Sequence, residues 1–288
     1  MGCHAFTLEE TGDYAAAERA GLAGLELATD DAWGLHAVAH VHDMTGRAKD
    51  GIALIEGNTA AWEHCNNFRY HVWWHKALLH LDMGDTATVL SLYDQKIRHD
   101  KTDDYRDIAN ATSLLSRLEL EGVDVGDRWV ELADLSETRS DDGCLAFADL
   151  HYMLALTGDS RSDAVTHLVA RLYRDGTEDG DVAAVARHPG IAAAQGLSAF
   201  GEGRYGDAFR NLWSAYPALQ TIGGSHAQRD VFERIAIDAG IRAGQLDGAE
   251  DLLVQRRTRR DGHEDAFAAS RFANISAARR IAERIPAQ

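Results

Sequence analysis

The sequence predicts an all-α protein, a right-handed superhelix of stacked antiparallel helical hairpins (an α-solenoid). Helix-breaking glycines recur along the chain, and two such breaks, Gly12-Asp13-Tyr14 and Gly46-Arg47-Ala48, lie 34 residues apart. A fixed period of this length is typical of stacked helical hairpins. Proline occurs only 3 times in 288 residues. Because proline interrupts helices, its scarcity permits nearly continuous helix.

Helical periodicity and glycine breaks place each element in order. Looser copies of the break occur at Gly84, Gly158, Gly203 and Gly244. The last helix, near 266–285, is predicted to cap the stack within a terminal segment 263–288. Every hairpin leaves an apolar face for its neighbour to cover, so the prediction is one domain over 1–288. The predicted helices are 3–10, 14–27, from 32 to the break at 46, from 67 to the break at 84, 105–121, 130–135, 143–156, 163–173, 191–200, 205–216, 228–243 and 246–255.

The net charge and the cysteine content limit which kinds of partner and which cellular compartment we expect for the chain. The formal net charge of −17 disfavours nucleic acid as a partner, and no apolar run reaches membrane-spanning length. The 3 cysteines are odd in number and show no CxxC spacing, which favours a reducing compartment. The N-terminus lacks the order of a signal peptide. We therefore predict a cytoplasmic protein that contacts neither nucleic acid nor membrane.

The breaks and several longer stretches are similar to a known family. At Gly12-Asp13-Tyr14-x-x-Ala17 the chain resembles a tetratricopeptide repeat protein, and more specifically it resembles the tetratricopeptide repeat protein 38 family. The resemblance implies a helical-repeat fold and no settled activity. The resemblance does not extend to the family's long N-terminal portion, which the chain lacks. The stretches that carry it include Asp31-Ala32-Trp33-x-x-His36-Ala37-Val38-Ala39-His40-Val41, Asn67-Phe68-x-x-His71-x-Trp73-Trp74-His75, Gly122-Val123-Asp124-Val125-Gly126-Asp127-Arg128-Trp129 and Gly223-Gly224-Ser225-His226-Ala227-Gln228-Arg229-Asp230.

The first hairpin has no capping helix before it, so its apolar face is expected to lie bare. Either residues that once preceded Met1 are missing, or another subunit covers that end. A homodimer formed through this hairpin is the corresponding prediction.

Two histidine pairs give the strongest local signal for a site. His36 and His40 are four residues apart, as are His71 and His75, and this spacing stacks two imidazoles on one helix face. By the tetratricopeptide resemblance, His36, His40 and His71 are expected to face a concave groove, and Trp74 and His75 straddle the next groove-facing position. Counted in the same way, Asp43, Trp33, Phe6 and Glu9 join the same wall.

A second group of candidate residues follows Gly223-Gly224-Ser225. Backbone donors at the start of the next helix favour an anion there, whereas Ser225 favours a simple helix cap. If the C-terminal hairpins curl toward the histidines, then His226, Gln228 and Arg229 complete the pocket.

The leading functional prediction is a binding scaffold whose concave face recognises a peptide or a small polar ligand. The alternative is a hydrolytic or metal-assisted enzyme that uses the same histidines, for example with His40 as acid or base beside Asp43 or Glu9. Zinc and iron accept imidazole. However, Ala37 and Val72 stand where a zinc protease has its glutamate, so no metal or cofactor is assigned. Histidines that donate to backbone carbonyls between helices are the structural alternative.

Overall fold

The chain is helical throughout the residues that the structure describes. In the computed structural model these are residues 1–284, with only the backbone of Arg284, and no strand occurs in that range. The predicted all-α class is thus confirmed. The helices of the first half are α1 (Gly2–Glu10), α2 (Tyr14–Leu27), α3 (Ala32–Met44), α4 (Ala48–Gly57), α5 (Phe68–Asp82), α6 (Thr86–Leu92) and α7 (Tyr105–Leu120).

Among the described residues, the second half continues with nine more α-helices. The predicted helices agree with the observed ones to within about one turn at each end, except that α15 ends four residues later than predicted. Helices α4 and α6 follow predicted glycine breaks but had no predicted bounds, and the short α11 was not predicted. Ile285, the predicted end of the last helix, lies outside the described residues. The helices are α8 (Arg128–Thr138), α9 (Ala146–Gly158), α10 (Ser162–Asp175), α11 (Asp181–Val185), α12 (Ile191–Gly201), α13 (Tyr205–Ala215), α14 (His226–Arg242), α15 (Leu246–Arg259) and α16 (Ala266–Arg284).

The glycine breaks are helix-to-helix turns. Gly12 and Gly46 adopt φ of +86° and +71°, a left-handed conformation that favours glycine because any Cβ would be strained. Directly after the first turn, the Asp13 carboxylate accepts a hydrogen bond of 3.1 Å from the Ala16 backbone amide. This cap satisfies one of the free donors at the start of α2. The turn chemistry therefore explains where one helix ends and the next begins within a hairpin.

The chain forms two compact units. The first comprises Met1–Asn110 with Gln255–Ala269, and the second comprises Ala111–Val254 with the described residues from Ser270 to Arg284. Each unit is described by itself below. The single domain over 1–288, and the capping role of its last helix, stay predictions.

In the first unit, each helix from α1 to α4 packs on the next, α1 also contacts α3, and α3 also contacts α5. Its core is filled by fully buried side chains such as Leu35, Ile55 and Trp62. Helices α2 and α3 can approach closely because Gly21 has no side chain. A Cβ at this position would lie 2.5 Å from Val38 and 2.8 Å from the Gly34 carbonyl oxygen. This close packing fixes α3, which carries the first histidine pair.

In the second unit, α8 packs on α9, α12 on α13, and α13 on α14. Tyr152, Leu168 and Phe232 are buried in its core. The guanidinium of Arg117 is fully buried and donates to the backbone oxygens of Ser113 and Ala227, at 3.0 and 2.7 Å. Residues 1–284 include no helix with the length and apolar character that a membrane span requires.

Candidate metal centre

Two packed helices of the first unit carry the four histidines. His36 and His40 lie on α3, and His71 and His75 lie on α5. The four-residue spacing puts both rings of each pair on one face, and α3 contacts α5. His36, His40 and His75 are only 3%, 0% and 2% exposed, while His71 is half-buried. The two pairs are thus brought together at a helix–helix contact rather than along an open wall.

The four rings converge through their Nε2 atoms. The Nε2 of His36 lies 3.0 Å from that of His71, 3.0 Å from that of His75 and 3.1 Å from that of His40. The Nε2 atoms of His71 and His75 are 3.1 Å apart. One ring nitrogen from each of the four residues lies within 4.8 Å of all the others. The four histidines therefore form one cluster, and the concave groove that they were expected to line stays a prediction.

Burial keeps two of these imidazoles, His36 and His71, neutral. The pKa of His36 is held well below its ordinary value of 6.5 by burial, and its neighbours His40 and His71 lower it further. Burial also lowers the pKa of His71 to about 4, although its hydrogen bond with Asn110 opposes that shift. At neutral pH each of these two rings therefore carries one lone pair, and a lone pair is what a metal ion needs from imidazole.

Imidazoles in this arrangement cannot all satisfy one another with hydrogen bonds. In each ring the Nε2 is either an N–H donor or a lone-pair acceptor. The Nε2 atoms of His36, His71 and His75 form a triangle with sides of 3.0 to 3.1 Å, so at least two of the three must be of the same kind. One contact then sets two lone pairs, or two N–H groups, against each other. A cation at the centre removes this conflict because every Nε2 then presents a lone pair.

The outer nitrogens of two rings face polar groups. The Nδ1 of His71 lies 3.1 Å from the amide oxygen of Asn110 on α7. Because that oxygen is an acceptor, Nδ1 carries the proton, and the lone pair is left on Nε2. The Nδ1 of His40 lies 3.5 Å from the Glu9 carboxylate of α1, and both side chains are fully buried. Metal-binding histidines commonly present their second nitrogen to a carboxylate or amide in this way.

Aromatic rings surround the cluster. Phe6 stacks on His36 with ring centroids 5.6 Å apart, and the rings of Trp33 and Phe68 contact His36 edge-on at 5.5 and 5.3 Å. Trp74 is fully buried and stacks on His71 at 5.3 Å. Trp74, a predicted site residue, thus packs against one histidine of the cluster.

The structure places Asp43, also predicted for the site, in a different interaction. Its carboxylate accepts a hydrogen bond of 3.0 Å from the Arg260 guanidinium. The same guanidinium donates a hydrogen bond of 2.8 Å to the Asp43 carbonyl oxygen and one of 2.5 Å to the Asp82 carboxylate. All three side chains are about 5 to 6% exposed. A carboxylate held by a buried guanidinium in this way serves the packing of the unit.

His226, Gln228 and Arg229 lie in the second unit, at the start of α14. Ser225 and Gln228 form a capping box: the Ser225 hydroxyl accepts from the Gln228 amide at 3.3 Å, and the Gln228 side chain accepts from the Ser225 amide at 2.9 Å. Arg229 donates to the Gly224 carbonyl oxygen. The helix cap is thus observed, and the joining of these residues to the histidines stays a prediction.

Asn110 is the site residue that sequence reasoning missed. It lies 39 positions from His71 and follows no recognised motif. The sequence signal was weak: Asn110 is a polar residue between Ala109 and Ala111, and only the structure shows that it is 1% exposed. A buried amide in an apolar setting needs a partner, but the sequence does not say which one.

A comparison of the chain with protein-family models finds no match, and a comparison with solved structures finds none. The resemblance to the tetratricopeptide repeat protein 38 family stays a prediction. What the cluster can do chemically follows from its donor set, which consists of four imidazole nitrogens with no carboxylate or thiolate among them.

Proposed function

We propose that this protein binds a transition-metal ion through the Nε2 atoms of His36, His40, His71 and His75. The observation that carries the proposal is the convergence of four ring nitrogens within 4.8 Å. Imidazole suits zinc, copper, nickel and iron, whereas magnesium and calcium prefer oxygen ligands. The expected ion is therefore zinc, copper, nickel or iron.

The mismatch among the ring nitrogens supports this proposal. A buried polar group without a proper hydrogen bond costs about 1–3 kcal/mol, and the triangle of Nε2 atoms contains at least one such mismatch. The Nδ1 of His36 is also buried without a hydrogen-bond partner among the described residues. A sequence selected only for stability has little reason to bury four imidazoles against one another. Selection for a ligand gives a reason.

The outer contacts add independent support. Glu9 and Asn110 come from two other helices, α1 and α7, and each faces the Nδ1 of a different histidine. Histidines that merely fill space between helices more often donate to a neighbouring carbonyl, as His151 does to Phe147 at 2.7 Å. In the cluster, the hydrogen bond with Asn110 instead directs the Nε2 of His71 toward the centre, and the Glu9 carboxylate lies 3.5 Å from the outer nitrogen of His40.

We also propose that the helices around the cluster are tetratricopeptide-like repeats. The support is the left-handed glycine between paired helices, the aspartate cap after it, and the contact of α3 with both α1 and α5. A right-handed superhelix along the whole chain, and a homodimer through the first hairpin, belong to the same proposal. The mass of the protein in solution tests the dimer.

Recognition of a peptide by these histidines is the weaker proposal. Three of the four rings are at most 3% exposed, and their Nε2 atoms face one another. A small polar ligand fits better, because it can coordinate the ion itself. Metal-assisted catalysis is therefore compatible with the site, and a peptide-binding wall of imidazoles is not favoured.

Metal analysis with matched variants tests the proposal. Purified protein is stripped with a chelator, reloaded with zinc, desalted and analysed for its metal content. We expect one ion per chain in the wild type and a large loss in His36→Ala and His75→Ala. His99→Ala is the control, because its side chain is 68% exposed and pairs with Asp100. Wild-type protein without stoichiometric metal, or an equal loss in the control, would refute the proposal.

A further inference from the structure

A pocket in the second unit shares no residue with the histidine cluster. Its volume is about 290 Å³, and its lining comes from α7, α8, α9, α12, α13 and α14. Sites for small molecules commonly have volumes of about 300–1,000 Å³ and combine apolar walls with a few polar groups. We propose that this pocket binds a small primary amine with an aromatic body, and that the Glu119 carboxylate holds the ammonium group. The proposal is independent of the metal site.

The walls of the pocket are mainly apolar and aromatic. The Trp129 indole is 4% exposed and lies against Gly158, where a Cβ would come within 2.5 to 2.9 Å of the ring. Phe200 and Tyr205 are partly exposed, and their ring centroids are 5.5 Å apart. Aromatic walls of this kind favour a ligand with an apolar or aromatic body. The remaining apolar lining is Leu120, Leu154, Leu197 and Ile235.

Glu119 is the one carboxylate of the lining. Its Oε1 accepts a hydrogen bond of 2.9 Å from the indole N–H of Trp129, and it forms no ion pair with a cation of the described residues. Burial raises the pKa of Glu119, the hydrogen bond from Trp129 opposes that shift, and the charge of Asp124 adds to it. An ammonium group would supply the positive partner that this carboxylate lacks.

Two hydroxyls of the lining act toward a ligand only as acceptors. The Ser116 hydroxyl donates to the Thr112 carbonyl oxygen at 3.0 Å, and the Thr157 hydroxyl donates to the Met153 carbonyl oxygen at 2.7 Å. Because each proton is committed to its own helix, only the oxygen lone pairs are left for a ligand. An ammonium group has three donors and no acceptor, so it matches this set.

The one cation of the lining, Arg242, already has an anionic partner. Its guanidinium lies 3.4 Å from the Asp238 carboxylate and donates a hydrogen bond of 3.0 Å to the Tyr205 hydroxyl. It also lies over the Phe200 and Tyr205 rings, 5.2 and 5.1 Å from their centroids. In addition, α7, α9, α12 and α14 each line the pocket with residues of their last turn. The C-terminal end of a helix carries a partial negative charge, so the four ends favour a cationic ligand over an anionic one.

Calorimetric titration with three phenyl compounds tests the charge of the ligand. Phenethylamine is a cation at neutral pH, phenylpropionate is an anion and phenylethanol is neutral. Chelator-treated protein is used, so that a metal-bound amine cannot contribute. We expect phenethylamine to bind at one site per chain, at least about 10-fold more tightly than either of the other compounds, because its hydrogen bond to the carboxylate is charge-assisted.

Two matched variants complete the test. Glu119→Gln keeps an oxygen that accepts from Trp129 but removes the charge. It should weaken phenethylamine binding about 10-fold or more and leave phenylethanol binding unchanged. Glu178→Gln is the control, because it removes the same charge from an exposed side chain of the same unit, outside the lining.

Three results would each overturn the proposal: no binding of phenethylamine at millimolar concentration, phenylpropionate binding as tightly as phenethylamine, or an equal loss in both variants. None of these results bears on the metal site, because the titrations contain no metal. Failure of the metal site would likewise leave this pocket unaffected.

Discussion

Replacement of His36 by leucine separates a ligand-binding role from a packing role. His36 makes three of the four short Nε2 contacts, at 3.0, 3.0 and 3.1 Å, and is 3% exposed. Leucine has a similar volume and no polar atom. Once it is present, the remaining 3.1 Å contact between His71 and His75 can be a single N–H···N hydrogen bond. The conflict among the three nitrogens then disappears.

The expected effect differs between the metal-free and metal-loaded protein. Without metal, His36→Leu should leave the free energy of unfolding unchanged or raise it by about 1 kcal/mol, since it removes a mismatch that costs about 1–3 kcal/mol. With free zinc at 100 times its dissociation constant, the wild type should gain about 2.7 kcal/mol. The variant should lose most of that gain, because it has lost a ligand.

Urea unfolding followed by tryptophan fluorescence measures both quantities, on chelator-treated protein with and without added zinc. His99→Leu is the control, and its curves should overlay those of the wild type in both conditions. A loss of more than about 2 kcal/mol in metal-free His36→Leu would show that the histidines form a stabilising network. Retention of the full zinc-dependent gain would equally refute the reasoning.

Three further outcomes are expected. Asn110→Ala should weaken zinc binding about 10- to 100-fold in competition with a chromophoric chelator, because outer-shell partners orient metal ligands. His151, whose pKa burial lowers from 6.5 to about 4, should contribute stability that is complete above pH 6.5 and is lost as the pH falls to 4. That loss is about 3 kcal/mol, and His151→Phe should reduce the pH slope by one proton. Arg260→Met should destabilise the first unit by about 3–5 kcal/mol in urea unfolding, because it strands the buried carboxylates of Asp43 and Asp82.

Each of these has a clear contrary result. An unchanged zinc affinity in Asn110→Ala would remove the outer-shell role. An unchanged pH slope in His151→Phe would show that another group takes up the proton. A stable Arg260→Met protein would mean that the two carboxylates reach solvent or become protonated at little cost.

Local sequence features predicted the helices well. The boundaries of α2, Tyr14–Leu27, were predicted without error, because a glycine turn, an aspartate cap and a polar end all act within a few residues. The shared helix face of each HxxxH pair was also predicted, since the α-helical period alone places residues four apart on one face.

The sequence by itself determined the helical class, the glycine turns between helices, and the pairing of histidines within α3 and within α5. Only the tertiary structure decided that the two pairs meet through Nε2 and that the cluster is buried. It also decided that Asn110 orients His71 and that Asp43 forms an ion pair with Arg260, 217 positions away. The physical reason is range. Helix period and capping depend on neighbours within one or two turns, whereas the donor set of a metal centre depends on which helix faces touch, and this is decided by the packing of the whole core.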